Sequence, residues 1–430
     1  MNKVQIIIII FSIIVIITAI IVFARVQAPE NPGIGAETSS LTVWGVDRPE
    51  IFKDVFENYE RQFRVTINYV EKDPRRFRQD VVEALAAGTH PDLVMASTDW
   101  ILAQKDKLSP VPATIATPDL METAFVDVVI DSFVETIEIE RQPQTFIWAL
   151  PLWVDPLVLY WNKDIFNVQN ISLPPENWTS FIETSNKIKS VASGSVVQRA
   201  GSALGRAQNM PLFKEIFSLV LMQQGAALED ALKGTAFGEE MESAVRFYTD
   251  FGNASQARSG VYTWNARLPE PRDFFAEGKL GMMIDYYSYN KSLSQKASHI
   301  SYDIAPAPQI ENTPFPVHYA DIRGVAVLRR SEFQDASWHF ARWLAGAEQA
   351  ALYLSHASAA PARRDLLAGN TLPHILVTGS LNAYRPREQF PDLNSSLLRD
   401  IIETVADGRF TPSEALTDAA RKYRAAVEGQ

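Results

Sequence analysis

Five aspartates fall where the chain leaves a buried-looking run: Asp47, Asp99, Asp155, Asp285 and Asp321. Trp44, Trp100, Trp153 and Trp264 occupy similar strand-end, crossover or loop positions, with Tyr287 and Arg323 two residues from a carboxylate. An aromatic face lies flat against the C–H face of a hydroxyl-rich ring, and a carboxylate or guanidinium answers the ring's hydroxyls once both are desolvated. These residue types in these places therefore point to a polar, reversible grip. The competing reading of each Asp is a turn or helix cap, to which Asp99 is most open because it precedes the segment starting at Trp100. Arg323 could equally pair with Asp321. Asp285 ends the apolar run Met282-Met283-Ile284, so its carboxylate is expected at the rim of a sheet as a free acceptor. Trp264 lies in a polar, turn-like stretch between Tyr262 and Pro269 and is expected to offer a stacking face. Trp161, Trp178, Trp338 and Trp343 read as packing.

Catalytic and metal chemistry find no such support. There is no Gly-x-Ser-x-Gly elbow, no phosphate-cradling Gly-Lys-Ser/Thr loop and no His-Glu-x-x-His pair. The six histidines lack ligand spacing, and cysteine is absent, which excludes disulfides, thiolate metal sites and thiol nucleophiles. No cofactor, metal or catalytic residue is expected. The net charge is -11 and no Lys/Arg cluster interleaves with aromatics, so nucleic-acid binding is not expected either.

The elements that must position these residues are α/β. Leu41-Thr42-Val43-Trp44 is a strand ending at Gly45, and Phe52, Val55, Phe56, Tyr59 and Phe63 recur at helical spacing. A second strand holds Val65, Ile67 and Tyr69, and a second helix holds Phe77, Val81 and Leu85. Leu93 to Ala96 is a third strand. This alternation predicts a parallel, doubly wound sheet with ligands beyond the carboxyl ends of its strands, at Trp44 to Asp47 and Ser97 to Trp100. Thr145 to Leu150 and Leu157 to Trp161 are two apolar segments, and Pro151 and Pro156 bracket a crossover between two packed units. Thr411-Pro412-Ser413-Glu414 has the form of a capping box. At the N-terminus, Val4 to Ala24 carries no charge, and about 20 apolar residues span a membrane. Val26-Gln27-Ala28 has the form of a cleavage site, but Pro29 hinders cutting there. The reading is a retained helical anchor over residues 1–25 and a linker over 26–39.

Several stretches carry a resemblance. Leu41-Thr42-Val43-Trp44-Gly45, Ala86-Ala87-Gly88-Thr89-His90-Pro91-Asp92-Leu93-Val94 and Leu150-Pro151 through Trp161-Asn162-Lys163-Asp164 occur in order. Pro174-Pro175-Glu176-Asn177-Trp178, Phe275-Ala276-Glu277-Gly278-Lys279-Leu280-Gly281-Met282-Met283, Arg323-Gly324-Val325 and Ala360-Pro361 follow. Together, over about Leu41 to Glu428, they resemble family 1 of the extracellular solute-binding proteins, the group that includes maltose-binding protein. Two departures bear on the ligand: Asp285-Tyr286-Tyr287 stands where the family often has Gly-Ser/Pro-Trp, and Arg323 where a small residue is usual.

The resemblance implies a two-lobed periplasmic-binding-protein-like α/β fold with discontinuous lobes and a hinge. The first lobe would hold 40–155 and 300–346, and the second 156–299 and 347–430. It also implies a non-enzymatic monomer that captures a carbohydrate at the residues above and delivers it to the membrane subunits of an ABC importer. That places the protein on the extracytoplasmic face of the cell membrane. The alternatives are a carbohydrate-active enzyme or a ligand-sensing receptor coupled to a membrane signalling protein.

Overall fold

Short apolar runs separated by amphipathic helices place the first strands side by side. The computed structural model describes residues 39–428 apart from 193–195, 234–237, 254, 256–259, 314 and 369–371. Strand Ser40–Gly45 pairs in parallel with both Thr66–Glu71 and Leu93–Ser97. Helices Lys53–Phe63 and Phe77–Ala87 supply the crossovers that parallel neighbours require. Each helix stops at a left-handed residue, Arg64 at φ 60° and Gly88 at φ 72°. Asp92 then fixes the return: Oδ2 accepts the Thr42 N–H at 2.9 Å and Oδ1 accepts the Ser331 hydroxyl at 2.6 Å.

The organising element is the strand Leu150–Asn162, 13 residues long and buried throughout. Leu152 and Val154 belong to one hydrophobic core, and Leu157 to Trp161 belong to another. Strand His318–Leu328 runs antiparallel beside it and makes the same passage, with Tyr319 in the second core and Ala320 onward in the first. One sheet therefore continues through both cores, because Leu93–Ser97 pairs with one side of His318–Leu328 and Leu280–Tyr286 pairs with Leu150–Asn162. A third passage follows Ala383 of the first core and reaches Leu397 of the second.

Pro151 and Pro156 do not break the strand. Arg323 pairs with Trp153 and Gly324 with Pro151, so Leu152 is an extra residue and the ladder shifts there. A strand absorbs a missing N–H at such an irregularity. The two apolar segments and the intervening crossover expected from sequence are thus one continuous strand from Leu150 onward. The expected capping box forms: Thr411 N–H reaches Glu414 Oε2 at 2.8 Å, and Glu414 N–H reaches Thr411 Oγ1 at 3.3 Å.

Two parts of the expected lobe division differ in the structure. Ala350, Tyr353 and Ala357, expected in the second unit, pack in the first core, where the Tyr353 ring lies 5.8 Å from Phe52 and 5.9 Å from Trp153. Helix Ala347–Ala357 starts directly at Gly346 and has no length of chain in which to leave. Ala305, Ala307 and Tyr319, expected in the first unit, pack in the second, since strand Tyr302–Pro306 pairs with Val158–Asn162. The expected anchor and linker lie outside the described residues. Among the described residues no helix is long and apolar enough to cross a membrane.

The shift in the ladder leaves little room at Gly324. A Cβ there would lie 2.7 Å from Cζ of Phe133 and 3.0 Å from Cδ1 of Ile101. Gly324→Val is expected to cost about 1–3 kcal/mol by overpacking, measured by denaturant unfolding; an unchanged midpoint would show that the crossing strand yields at this point.

Candidate functional site

The three passages between the cores each carry charge to the same place. Antiparallel register sets Asp155 directly opposite Asp321, an unfavourable pairing unless other groups intervene. Asp321 is held by Arg385 of the third passage, with Nη1 3.1 Å from Oδ1. Arg385 also reaches Asp99 through Nη2 at 2.6 Å and lies over the Tyr319 ring at 5.1 Å. Lys214, on helix Phe213–Gln223 of the second core, closes the network with Asp99 at 3.0 Å and Glu388 at 2.9 Å. Arg323 contributes a neighbouring pair: its Nη2 donates to Asp47 Oδ1 at 3.1 Å, and its Nε lies 2.9 Å from Oδ2. Behind it, the Trp153 ring centroid lies 5.8 Å from the guanidinium carbon.

Burial and pairing pull these groups in different directions. Asp99 keeps 30% of its side-chain surface accessible. Enclosure by protein nonetheless acts on it strongly, and Arg385 and Lys214 overcome that effect to hold it well below the usual carboxylate range. For Lys214, burial opposes the charge, but Asp99 and Glu388 raise its pKa. Asp155 has no such cation: burial pushes it up to about 7, the Ser288 hydrogen bonds oppose this, and the charge of Asp321 adds to it. Glu215 is also pushed up to about 7 by burial, against the pull of Lys214. Its Oε2 is buried without a hydrogen-bond partner.

The expected site residues divide into two groups. Asp47, Asp99, Asp155, Asp321 and Arg323 converge on the passages, with Trp153 behind them at 4% exposure. Asp99 meets cations and makes no side-chain cap for helix Thr98–Ala103, and Arg323 pairs with Asp47 while Asp321 takes Arg385. Trp44 is half-buried with the Lys72 ammonium 3.6 Å from its ring centroid. Trp100 is buried on Phe77 at 5.1 Å, with an unpartnered Nε1. Tyr287 is half-buried and its N–H donates to the Pro156 carbonyl at 3.0 Å.

Trp264 and Asp285 are corrections. Trp264 has no exposed surface; its Nε1 donates to Asn209 Oδ1 at 3.3 Å, and its ring meets Phe274 edge-on at 5.7 Å. The polar stretch around it folds over the second core, with Thr263 and Trp264 N–H groups both directed to the Phe251 carbonyl. Asp285 is 3% exposed and takes a two-pronged grip from Arg272 at 2.6 and 2.7 Å, plus the Tyr286 N–H at 2.7 Å. It is a saturated acceptor, because helix Pro271–Ala276 brings Arg272 back onto the strand end. Arg385, Glu388, Lys214 and Glu215 were not singled out from sequence. The signal for the last two was their interruption of the apolar run from Pro211 to Met222; Arg385 has no comparable signal.

Two cores joined by three passages, with polar groups gathered where they cross, define a two-lobed binding protein. The chain belongs to the family of bacterial extracellular solute-binding proteins, whose pattern it matches over residues 54–373. It is 22% identical over 419 residues to the galactooligosaccharide-binding protein of Bacillus subtilis, covering 91% of this chain and 90% of that one. Among solved structures, UgpB from Mycobacterium tuberculosis in complex with glycerophosphocholine superposes with a TM-score of 0.73 at 15% identity, covering 91% of this chain and 99% of that one. A Listeria monocytogenes ABC substrate-binding protein in complex with cycloalternan gives 0.71 at 16% identity, covering 91% and 100%. The structural likeness establishes the fold.

Since Trp264 is enclosed by its own core, Trp264→Ala is expected to destabilise the protein by about 3–5 kcal/mol. Thermal unfolding checks this, and a stability loss below about 1 kcal/mol would return the residue to the candidate site.

Proposed function

We propose that the protein is an extracytoplasmic receptor that captures a carbohydrate between its two lobes and delivers it unchanged to the membrane subunits of an ABC importer. The observation that carries this reading is the convergence of Asp47, Asp99, Asp155, Asp321, Arg323 and Arg385 where the three passages link the cores. Carboxylates and guanidinium groups in that position match a ligand with many hydroxyls, each able to donate and accept. The galactooligosaccharide-binding relative and the neighbours solved with cycloalternan or acarbose support a sugar as that ligand. Family membership supports capture without chemical turnover.

In this reading the ligand enters by exchange. Its hydroxyls replace some of the internal partners of Asp47, Asp99, Asp321 and Arg323, and Asp155 accepts another. Trp44 and Tyr287, both half-buried, are the aromatic faces offered to the ligand, Trp100 packs behind them on Phe77, and Trp153 supports Arg323. The lobes are the two cores with their surrounding helices, and the passages form the hinge, so a ligand touching both lobes favours closure. The protein acts as a monomer. Its uncharged segment from Val4 to Ala24 serves as a retained anchor, supported by Pro29 after the one cleavage-like site.

A thermal-shift series with galacto- and malto-oligosaccharides tests the central claim. A true ligand at roughly a hundred times its Kd contributes about 2.7 kcal/mol, and chromatography of the recovered sugar is expected to show no product. Asp321→Ala is expected to abolish that shift; sugars that never shift the wild type would sink the carbohydrate reading. N-terminal sequencing of membrane-extracted protein tests the anchor, and a mature chain starting near Pro29 would refute it.

A further inference from the structure

The carboxylates at the crossing are not equally provided for. Asp47 has Arg323, Asp321 has Arg385, and Asp99 has both Arg385 and Lys214. Asp155 makes no ion pair among the described residues, although it is 8% exposed and sits opposite Asp321 in the ladder. Its observed partner is the Ser288 N–H, 3.0 Å from Oδ1, which starts helix Tyr289–Lys296 of the second core. Asp155 thus belongs to a strand shared by both cores while its carboxyl is covered by a group from one of them. The lobes also touch across the gap through Asp99–Lys214, Arg78–Asp392 and the Lys291 ammonium on the His356 carbonyl at 2.8 Å.

We infer that closing the two lobes takes up a proton at Asp155, which links the open-to-closed equilibrium of this receptor to pH. The inference rests on the two-lobed hinge reading but not on the identity of the ligand. When the lobes are together, Asp155 is desolvated with no cation of its own, so its neutral form is favoured there. When they part at the passages, water reaches the carboxyl and its pKa returns toward roughly 3.9, the value of a hydrated Asp.

A carboxyl whose pKa is higher in the closed form favours that form below the raised value. The advantage is lost as pH rises through it. Asp155 stands at about 7 in the arrangement described, so the sensitive window runs from about 4 to about 7. The closed-to-open ratio should then rise about tenfold as pH falls from about 8 to about 6.

The groups facing Asp155 agree with this sign. From the neighbouring strand, the charge of Asp321 raises its pKa and that of Arg323 lowers it, but Arg323 is engaged by Asp47. Tyr160 along its own strand stays neutral, raised by burial and by the charges of Asp285 and Asp155, and Asp285 is neutralised by Arg272. Helix His374–Leu381 abuts Pro156 at Gly379 and carries one titratable group, His374, exposed at its opposite end. Half-buried Glu215 is likewise pushed up to about 7 by burial, and it faces Lys214, Asp99 and Arg385.

The chain has no cysteine, so two can be introduced and labelled cleanly. In the full-length protein without any sugar, Glu57→Cys and Glu239→Cys place dyes at exposed positions flanking the first and second cores. Energy transfer is expected to change as pH falls from about 7 to about 4, with a midpoint between those values set by the open-to-closed ratio, and Asp155→Asn is expected to remove that step. A wild type that is flat over this range overturns the inference. So does a step that persists in Asp155→Asn, even one that Glu215→Gln abolishes. If Asp155→Asn does not fold, the carbon-13 shift of the wild-type Asp155 carboxyl decides: titration above about 4 and in step with the energy-transfer change supports the inference, and titration out of step with it, or at about 4, refutes it. Because no sugar is present, failure here leaves the carbohydrate reading standing, and failure of sugars to bind leaves this result intact.

Discussion

The antiparallel pairing of Leu150–Asn162 with His318–Leu328 is the constraint on which the rest depends. Each strand must be apolar enough to enter two cores and yet must cross the gap between them. The apolar residues on either side, Val154 and Leu157 on one strand and Tyr319 and Ile322 on the other, anchor that passage. What remains at the crossing is Asp155 opposite Asp321. A buried carboxylate and a half-buried one directly opposite are unfavourable without a compensating cation, and Arg385 on the third passage supplies one to Asp321. Arg385 in turn draws Asp99, and Asp99 draws Lys214 from the second core. This chain of charges is therefore a consequence of where the strands cross.

Much of the scaffold was legible in the sequence because it rests on local chemistry. The first parallel strands and their helices follow from periodicity, the stop at Gly88 from its left-handed backbone, and the Thr411–Glu414 box from two side chains three residues apart. The positions of some candidate residues were legible in the sequence: Asp47 follows the end of strand Ser40–Gly45, and Asp155 lies where Leu150–Asn162 passes between the cores. It was illegible where the partner lay far along the chain. Arg385 and Asp99 are separated by 286 positions, and nothing near either names the other. Trp264 and Asp285 failed for the same reason in reverse. The polar stretch around Trp264 and the end of the apolar run at Asp285 both read as open, but Asn209 and Arg272 return from elsewhere to cover the two residues. The lobe boundaries slipped where a short connection after Leu344 kept the next helix in the first core.

If these paired charges form the proposed site, they constrain what it can bind. Each internal pair is already partly desolvated, so a ligand gains only the difference between its own hydrogen bonds and those it displaces. A purely apolar ligand would strand several charges at once, at a cost of several kcal/mol for each buried ion left alone. A ligand with a single charge would satisfy one side of the network and leave the other unpaired. In the proposed site a molecule with many neutral hydroxyls would avoid both penalties, since each hydroxyl can donate to a carboxylate and accept from Arg323, Arg385 or Lys214 without altering the net charge. The same argument sets Asp155 apart. As the carboxyl without a cation, it can accept a ligand hydroxyl without first giving up an ion pair, and it also responds most directly to a proton. Ligand and proton would then act on one atom group at the point where the two cores meet.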